Sequence, residues 1–417
     1  MQKMIVQGGR VLQGSVKASG AKNSALPLLF STLLAEGEHV FHNVPELMDI
    51  QSTGALLEYL GGELRREGKT LRVKVPARLK ALEAPYDLVR KMRASILSLG
   101  PLMSRYGEAK VSLPGGCAIG TRPIDLHLEG LKEMAADIQV ESGYVLGKVK
   151  KLQGAKLIFE SPTVTGTENL MMAACLAEGE TVIENAAKEP EIVDLAEYLN
   201  KMGAKITGQG SSIVRIQGVE RLKPAEHEVI PDRIETGTLL IAGAITGGEV
   251  TVEKCQPEDL DALVSKMKEA GIKVSSGADS LTVHPHSGFQ GVDVTTAPHP
   301  AFPTDLQAQF MALMTQAQGT SVITETVFEN RFMHVQELVR LNADITPKTR
   351  VAIVRGHKGG LKAAPVMATD LRASASLILA GLVAEGATEV NRIYHLDRGY
   401  EKMEEKLTRL GAGIKRV

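Results

Sequence analysis

The apolar and polar positions of this chain repeat with a period of roughly 70 residues. In each period an apolar stretch of helical character ends at a small or polar turn, and a β-branched strand pattern follows. The turn glycines are Gly37, Gly107, Gly179, Gly248, Gly319 and Gly386. This period is longer than that of the usual solenoids, and it predicts six α/β units of similar construction.

A second repeated signal follows each turn glycine after about 25 residues. It is an amphipathic helix pattern that ends at a small residue, after which another strand pattern begins. The helix ends lie at 60–64, 134–138, 202–206, 270–274, 341–345 and 410–414. Glycine or asparagine at such an end favours the left-handed backbone conformation that stops a helix. Each unit is therefore predicted to run helix, strand, helix and one or two further strands.

The helix patterns that precede the turn glycines are apolar on almost every face. In 166–177, 236–244 and 373–384 there is almost no polar face beyond small hydroxyl groups. A helix that is apolar all round is buried all round in a soluble protein. We therefore expect helices inside and sheets outside, with the charged helix of each unit, such as 401–407, facing solvent. Three units per domain would give two similar domains with a boundary near 229–232.

Composition narrows the class of protein. The chain has 417 residues, of which 43% are hydrophobic and 23% charged, as in a soluble protein of two or three domains. Its net charge of -1 provides no bulk attraction to nucleic acid or anionic membranes, so any anion must be bound by local clusters. No signal peptide or membrane-spanning apolar run is recognisable, and a reduced cytoplasm is the expected compartment.

Several classes of cofactor site lack support in the sequence. The three cysteines lie far apart without CxxC spacing, which argues against a disulfide framework and a zinc site. No GxGxxG or Walker A pattern opens a βα unit, so dinucleotide and P-loop chemistry are unsupported. The histidines show no ligand spacing and are predicted to be structural: His42, His127, His334 and His395. Cys175 and Cys255 are predicted to be inert.

The stretch 114–125 is the most unusual in the chain. Cys117 lies there among three glycines and two prolines, with Arg122 five residues further on. This punctuation predicts a loop, and a nearby cation favours the reactive thiolate form of a cysteine. The alternative is a surface turn with an incidental cysteine, and this stretch alone leaves both open.

Other charged residues open predicted helices. Lys22 and Asn23 begin an apolar helix, whose N-terminus could bind a phosphate or carboxylate; the alternative is an exposed lysine beside an ordinary cap. Three cations fall within 88–95, which suggests an anion site or a solvated helix face. Asp232 and Asp305 are candidate helix caps or, less commonly, catalytic carboxylates.

Three arginines recur at the same phase of the later units: Arg331, Arg372 and Arg398. Because the units are similar, these arginines are predicted to lie at equivalent ends of equivalent elements. There they would form a cationic floor for a doubly anionic substrate. The structural alternative for Asp370 and Arg372 is a local ion pair that contributes little stability.

The chain resembles the UDP-N-acetylglucosamine 1-carboxyvinyltransferase family of enolpyruvyltransferases from Gly8 to the C-terminus. The segments that carry the resemblance include SGAKNSALPLL (19–29), APYDLVRKMRASI (84–96), SLPGGCAIGTRPIDLH (112–127), PDRIETGT (231–238), TAPHPAFPTDLQAQF (296–310), ITETVFENRFMHV (323–335), MATDLRASASL (367–377) and RIYHLDRGYE (392–401). The resemblance implies an inside-out α/β barrel fold with two domains of three repeated α/β units, which meet at a cleft. The implied domains are 22–229, and 1–21 together with 230–417.

The implied reaction transfers the enolpyruvyl group of phosphoenolpyruvate to the 3′-hydroxyl of UDP-N-acetylglucosamine and releases phosphate, the first committed step of peptidoglycan synthesis. No metal or organic cofactor is implied. The expected partners are these two small molecules, without nucleic acid or membrane, for a monomer or weak homo-oligomer. By resemblance, Cys117 protonates the methylene carbon of phosphoenolpyruvate and can form a covalent adduct with it, and Asp305 takes the proton of the sugar hydroxyl.

The resemblance also assigns the binding residues. Lys22, Arg122 and Arg398 would hold the phosphate, and Lys22 with Asn23 would contact phosphoenolpyruvate. The implied contacts of the nucleotide sugar are Arg93, Arg122, Pro123, Ile124, Asp125, Leu126, Thr163, Val164 and Val327. Arg331 and Asp370 are second candidates.

The chain departs from the family pattern at two places. Met48 stands where some members carry a lysine, and 161–165 lacks the lysine and glycine often found there.

Three rival hypotheses remain at this stage. The shikimate-pathway enolpyruvyltransferases share the fold but do not depend on a catalytic cysteine loop. A catalytically inactive nucleotide-sugar sensor would have no need for Lys22, Cys117, Arg122, Asp305 and Arg398 together. A purely structural scaffold built of repeats would have no need for cations at equivalent positions of its units.

Overall fold

The computed structural model describes residues 2–90, 92–114, 124–356 and 359–417. These residues form two compact units, each with its own apolar core. The terminal unit consists of the described residues within Met1–Ser19 and Pro231–Val417. The central unit consists of those within Gly20–Gly116 and Arg122–Ile230.

The described residues form α-helices and short 3-10 helices. The α-helices are α1 (Lys22–Ser31), α2 (Met48–Leu60), α3 (Tyr86–Val89), α4 (Leu99–Tyr106), α5 (Asp125–Glu133), α6 (Val164–Ala174), α7 (Pro190–Lys201), α8 (Arg233–Thr246), α9 (Asp261–Glu269), α10 (Gln307–Met314), α11 (Val335–Arg340), α12 (Leu371–Val383) and α13 (Met403–Arg409). The 3-10 helices are Thr32–Leu34, Arg93–Ser98, Pro257–Leu260, Thr304–Leu306 and Ile393–Arg398.

The strands are mostly three to six residues long. Those of the first half of the chain are β1 (Met4–Gln7), β2 (Gln13–Lys17), β3 (Gly37–His42), β4 (Glu63–Glu67), β5 (Thr70–Val75), β6 (Glu83–Ala84), β7 (Glu108–Ser112), β8 (Asp137–Glu141), β9 (Tyr144–Lys148), β10 (Lys156–Ile158), β11 (Glu180–Glu184), β12 (Lys205–Thr207), β13 (Ile213–Gln217) and β14 (Glu226–Glu228). Those of the second half are β15 (Glu249–Glu253), β16 (Val274–Ser276), β17 (Ser280–Val283), β18 (Val294–Thr295), β19 (Thr320–Thr324), β20 (Asp344–Pro347), β21 (Val351–Arg355), β22 (Pro365–Met367), β23 (Ala387–Asn391) and β24 (Gly413–Arg416).

The strands form six four-stranded sheets that share one design. Each sheet has one parallel pair at an edge and antiparallel pairing elsewhere. The orders in the central unit are β14-β3-β5-β4, β6-β7-β9-β8 and β10-β11-β13-β12. Those in the terminal unit are β16-β17-β15-β2, β18-β19-β21-β20 and β22-β23-β1-β24. A parallel pair needs a crossover connection, and in four sheets a helical segment supplies it, as α6 does between β10 and β11.

The N-terminal residues are built into the terminal unit. β1 lies between β23 and β24, with Met4 opposite Val390 on one side and Arg416 on the other. β2 is the parallel partner of β15. Both ends of the chain therefore contribute strands to this unit, because β1 fills a position that in the other sheets comes from the repeat itself.

The helices predicted to be buried are buried on nearly every side. All residues of α10 are buried, and α8 and α12 leave only their ends partly open. In the terminal unit α8, α10 and α12 pack on one another, and β15, β19 and β23 cover them. By contrast α9 buries only Leu263, Val264 and Met267 and exposes its charged face. The predicted fold, with inner helices and outer sheets, is confirmed.

The predicted helix stops are confirmed in all six units. The residues with positive φ are Gly61, Ala135, Gly203, Gly271, Asn342 and Gly411, with φ between 69° and 113°. Ala135 adopts the left-handed conformation at the helix stop although its Cβ makes that conformation sterically unfavourable. Of the two adjacent glycines at the fourth turn, Gly247 takes the left-handed conformation and Gly248 does not. Gly248 is needed for space, since a Cβ there would lie 1.8 Å from the carbonyl oxygen of Leu12.

We predict that Gly218→Ala destabilises the central unit. A Cβ at this position would lie 1.8 Å from the carbonyl oxygen of Ala177, so the backbone itself must move. The expected cost is about 2–3 kcal/mol, or roughly 4–10 °C in the unfolding temperature measured by circular dichroism. Gly54→Ala in α2 is the matched control, because its Cβ meets only the flexible Leu64 side chain, at 3.1 Å. Equal unfolding temperatures for the two variants would contradict the prediction.

Candidate active site

The predicted site residues fall into three groups. Cys117, Arg122 and Pro123 lie outside the described residues. Those of the central unit are Lys22, Asn23, Arg93, Ile124, Asp125, Leu126, Thr163 and Val164. Those of the terminal unit are Asp305, Val327, Arg331, Asp370 and Arg398.

Lys22 begins α1, as predicted, but it is not an exposed lysine. Its exposed fraction is 9%, and its Nζ lies 3.3 Å from Oδ2 of Asp49 in the first turn of α2. Asp49 is itself buried, so each group offsets the desolvation of the other. Met48, at the position where some family members carry lysine, is exposed at the start of the same helix. A buried cation at a helix start is well suited to an anionic ligand.

A chain of polar groups, buried except for Lys201, fastens α1 just behind Lys22. The Ser24 hydroxyl donates to Oδ2 of Asp194 on α7. The other oxygen of Asp194 lies 2.7 Å from Nε2 of His227 on β14. Lys201 Nζ donates to Nδ1 of His227 over 2.9 Å. Sequence reasoning missed this network, which joins three elements that are distant in the chain and fixes the start of α1.

The nucleotide-side residues of the central unit lie around His127. This histidine directly follows Asp125 and Leu126 on α5, and its Nε2 lies 3.3 Å from the Thr165 hydroxyl in the first turn of α6. Thr163 caps α6, because its side-chain Oγ1 accepts a 3.2 Å hydrogen bond from the backbone amide of Gly166. Burial and, to a smaller extent, the positive charge of Arg93 together lower the pKa of His127 to about 3. The structure therefore brings these predicted residues together.

The predicted cation cluster before α4 does not act as one group. Arg90 is exposed, where its Nε pairs with Asp87 over 3.4 Å and its guanidinium lies over the Tyr86 ring. Lys91 lies outside the described residues. Arg93 begins the 3-10 helix Arg93–Ser98 and is partly buried close to His127. Of the described cations, Arg93 is therefore the one placed beside the candidate nucleotide contacts.

Asp305 is held by two buried arginines. Arg331 Nη2 donates to Oδ1 over 2.8 Å, and Arg372 donates to Oδ2 through Nε at 3.1 Å and Nη2 at 2.8 Å. Burial alone would raise the pKa of Asp305, but Arg372 and Arg331 together hold it well below its usual range. Asp305 is thus a carboxylate, with a quarter of its side chain exposed. Unlike it, Asp232 and Asp370 cap α8 and α12 by accepting backbone amides.

The same two arginines have donors left over. Nη1 of Arg331 and Nη1 of Arg372 are buried and have no hydrogen-bond partner among the described residues. Two guanidinium groups share the one carboxylate that is hydrogen-bonded to them, so these three side chains carry a net positive charge, which Asp232 near Arg372 offsets in part. A buried donor without a partner costs free energy. Both facts are explained if an anionic ligand binds beside Asp305, and Arg372, predicted as part of a cationic floor, then belongs to the site.

Glu325 helps to keep Asp305 and its neighbours in place. Glu325 is buried and accepts hydrogen bonds of 2.8 Å from the hydroxyls of Thr296 and Thr304 and from the amide of Val327. It therefore ties the segment that carries Val327 to the residue before Asp305. Sequence reasoning missed Glu325, whose signal was a glutamate between two threonines at the end of β19.

Asp370 and Arg398 lie close to two histidines that were predicted to be structural. Burial lowers the pKa of His334 to about 4; the negative charge of Asp370 opposes this shift and the positive charge of Arg331 adds to it. The Nε2 atom of His334 has no hydrogen-bond partner within the described part of the chain. Burial and then Arg398 lower the pKa of His395. Both imidazoles are therefore neutral near pH 7, and they border the predicted site residues.

Arg416 on the last strand, β24, holds Asp397, the residue before Arg398. Arg416 on β24 donates to both oxygens of Asp397, at 2.7 and 2.9 Å, and to Glu404 at 2.8 Å. These bonds fix the end of the 3-10 helix Ile393–Arg398.

The two described cysteines are buried thiols. Burial raises the pKa of Cys175 to about 12 and that of Cys255 to about 11. Both stay protonated, as inert cysteines do. Within the described ranges, no group of three histidine, cysteine or carboxylate side chains is arranged to hold a metal ion. None of the described helices has the length and apolar character needed to span a membrane.

Comparison with known proteins gives consistent results. A family model described as EPSP synthase (3-phosphoshikimate 1-carboxyvinyltransferase) matches residues 6–407. The UDP-N-acetylglucosamine 1-carboxyvinyltransferase of Bdellovibrio bacteriovorus is 66% identical over 414 residues, which cover 99% of this chain and 100% of that protein.

Two solved structures share the fold. The enolpyruvyl transferase NikO from Streptomyces tendae superimposes with a TM-score of 0.87 at 24% identity, over 100% of this chain and 99% of the other. EPSP synthase from Acinetobacter baumannii does so with a TM-score of 0.76 at 18% identity, over 100% of both chains. Identities this low support the fold, and the 66% relative carries the information about activity.

We predict that Asp305→Asn removes an acid-dependent part of the stability. Because the folded-state pKa of Asp305 lies below its unfolded value near 3.9, its carboxylate stabilises the fold above about pH 4. This contribution is lost as the pH falls through the folded-state pKa. The wild type should therefore unfold at a higher temperature than the variant, by an amount that is constant from about pH 8 to about pH 5 and shrinks below about pH 4.

The matched control is Asp344→Asn, which removes an exposed carboxylate paired with Arg355. Exposed pairs contribute little, so this variant should follow the wild type at every pH. A stability difference for Asp305→Asn that persists unchanged at the lowest pH would contradict the prediction.

Proposed function

The chain belongs to the enolpyruvyltransferase family described by the EPSP synthase model, and we propose that it transfers the enolpyruvyl group of phosphoenolpyruvate to the 3′-hydroxyl of UDP-N-acetylglucosamine. Phosphate is released, and the reaction is the first committed step of peptidoglycan synthesis. The observation that carries this proposal is the 66% identity, over 99% of the chain, to a relative named for that activity. The protein is therefore a transferase of cell-wall synthesis.

Asp305 is proposed to take the proton of the sugar hydroxyl. A carboxylate is a weak base toward an alcohol, but it suffices when the electrophile is activated in the same step. Arg331 and Arg372 orient Asp305 and hold it as a carboxylate, and because they also lower its pKa, its action as a base depends on activation of the electrophile in the same step. Their unpartnered Nη1 groups fit the carboxylate of phosphoenolpyruvate, which needs donors of this kind. Asp370, near His334, is a second candidate among the substrate-binding residues.

Cys117 is proposed to protonate the methylene carbon of phosphoenolpyruvate and to be the site of covalent adducts. Lys22, Arg122 and Arg398 hold the phosphate and neutralise the charge that builds on it as it leaves. The burial of Lys22 supports its part, since a desolvated cation interacts strongly with an anion. Asn23, beside Lys22, contacts phosphoenolpyruvate.

The nucleotide sugar is proposed to bind at the remaining predicted residues: Arg93, Arg122, Pro123, Ile124, Asp125, Leu126, Thr163, Val164 and Val327. The packing of His127 against Thr165 supports this set, because it places α5 and α6 side by side. No metal or organic cofactor is part of the proposal.

The cellular setting is proposed from the same reaction. The protein acts in the cytoplasm as a monomer or weak homo-oligomer, on small molecules and not on nucleic acid or membranes. Its role in cell-wall biogenesis links it to cell shape and division. We also propose that residues 22–229, and 1–21 with 230–417, are its functional domains.

The rival substrate is shikimate 3-phosphate, since the family model carries that activity in its description. The glycine-rich cysteine segment 114–125 and the 66% relative favour the nucleotide sugar, whereas the EPSP synthase from Acinetobacter baumannii is only 18% identical.

We predict phosphate release from phosphoenolpyruvate when UDP-N-acetylglucosamine is the acceptor and not when shikimate 3-phosphate is. A coupled assay of inorganic phosphate measures both reactions with the same enzyme preparation. Asp305→Asn should lower kcat by about 10²–10⁴-fold because the proton acceptor is lost. Release with shikimate 3-phosphate alone would overturn the proposed function.

We also predict that the epoxide fosfomycin inactivates the enzyme by alkylating Cys117, because a thiolate opens an epoxide readily. Mass spectrometry of the digested protein should locate one adduct on this residue. Cys117→Asp should retain turnover, since a carboxyl group can still donate a proton, and should lose sensitivity to the drug. The buried Cys175 and Cys255 serve as internal controls, and an adduct on either would argue against the assigned role.

A further inference from the structure

A directional chain of hydrogen bonds crosses the central unit near the proposed nucleotide contacts. The amide of Gly100 can only donate, and it lies 2.7 Å from Oδ1 of Asn169. Asn169 therefore presents its Nδ2 group to His127, whose Nδ1 lies 3.0 Å away. Since Nδ2 can only donate, Nδ1 of His127 must accept and cannot carry a proton.

The tautomer of His127 follows from this chain. In a neutral imidazole with an unprotonated Nδ1 the proton is on Nε2, which lies 3.3 Å from the hydroxyl oxygen of Thr165. In an imidazolium, the N–H group at Nδ1 would face the Nδ2 amide group of Asn169, and two donors cannot form a hydrogen bond. Burial, with Arg93 nearby, lowers the pKa of His127 to about 3, which agrees with a permanently neutral ring.

The role of the Thr165 hydroxyl is then determined as well. Its oxygen accepts from His127, so its hydrogen is available for an acceptor elsewhere. No other hydrogen bond of this hydroxyl is present within residues 2–90, 92–114, 124–356 and 359–417. Thr165 is only half-buried, so a ligand can reach it. By contrast, the Thr167 hydroxyl is occupied on both sides, by the carbonyl of Thr163 at 2.7 Å and the amide of Ala187 at 3.1 Å.

We propose that His127 is a positioning residue that holds the Thr165 hydroxyl as a hydrogen-bond donor to an oxygen of the UDP group. This inference rests on the proposed function, because it assumes that the nucleotide sugar binds beside Thr163 and Val164. Uracil carbonyls and phosphoryl oxygens are both acceptors, so the shared chemistry is an acceptor oxygen. His127 and Thr165 thereby add two residues to the proposed nucleotide site.

The first experiment compares Thr165→Val with Thr165→Ser in the full-length protein. Valine has the shape of threonine without the hydroxyl, and serine keeps the hydroxyl. Calorimetric titration with UDP-N-acetylglucosamine should show about 3- to 10-fold weaker binding for Thr165→Val, as expected for one lost hydrogen bond, and near wild-type binding for Thr165→Ser. Titrations with UDP and with uridine identify the acceptor: a loss with both points to uracil, and a loss with UDP alone to a phosphoryl oxygen.

A matched control separates ligand binding from packing. Thr181→Val removes a fully buried hydroxyl of the same unit that has no partner among the described residues. This variant should bind UDP-N-acetylglucosamine as the wild type does. Unfolding temperatures of all variants show whether a change in affinity accompanies a loss of fold.

The second experiment uses His127 itself. Asparagine places a polar atom near the Nδ1 position and glutamine places a donor near the Nε2 position. His127→Asn should therefore raise KM for UDP-N-acetylglucosamine about as much as Thr165→Val, whereas His127→Gln should restore much of the loss. KM for phosphoenolpyruvate and kcat should change little. The double variant His127→Asn with Thr165→Val should be no weaker than either single variant, because both remove the same interaction.

The outcomes distinguish this inference from the proposed function. Turnover of UDP-N-acetylglucosamine by the wild type, with unchanged nucleotide binding by Thr165→Val, would overturn the inference and leave the function standing. Equal losses in stability for His127→Asn and His127→Gln, without a change in KM, would show that His127 only packs α5 against α6 and would overturn it too. A wild type that neither binds nor converts the nucleotide sugar would overturn both.

Discussion

The burial of the inner helices on every side is the constraint on which the rest of this structure depends. A charge in the middle of such a helix would lose its hydration without compensation. Burial accordingly raises the pKa of Glu168, in the middle of α6, well above its usual range, and several buried cations lie at helix starts, where loops supply partners. Lys22 begins α1, Arg93 begins a 3-10 helix, and Arg372 is the second residue of α12. The fold therefore places these three cations at the starts of helical segments.

Several buried charges of the fold are compensated by a partner of opposite sign. Asp49 faces Lys22, Asp305 faces Arg331 and Arg372, and Lys406 lies 2.8 Å from both oxygens of the buried Glu235. Breaking such a pair leaves an uncompensated charge, which is why removal of one partner is costly. The arginine pair differs from the others because its charge exceeds that of its carboxylate. That excess, together with two donors lacking partners in the described part of the chain, marks it as a place for an anion.

Local patterns predicted the parts of the site that depend on local geometry. The helix start at Lys22 and the cap at Asp232 follow from residue type and position. Asp370 also caps a helix and is not the local ion-pair partner of Arg372, which pairs with Asp305. Asp305 shows where this reasoning stops. It has the sequence context of a cap, yet it accepts from two arginines that lie 26 and 67 positions away in the chain. Only the packing of α10 and α12 brings Arg372 to it.

The sequence by itself determined the six repeats, the left-handed helix stops and the burial of the inner helices, because these arise from hydrophobic period and backbone sterics within one unit. Tertiary structure alone decided which carboxylate meets which cation, why Gly248 needs space, and the donor direction at Thr165. Those features depend on atoms from elements far apart in sequence. A hydrogen bond or ion pair is set by distances of about 3 Å, and no period along the chain encodes them.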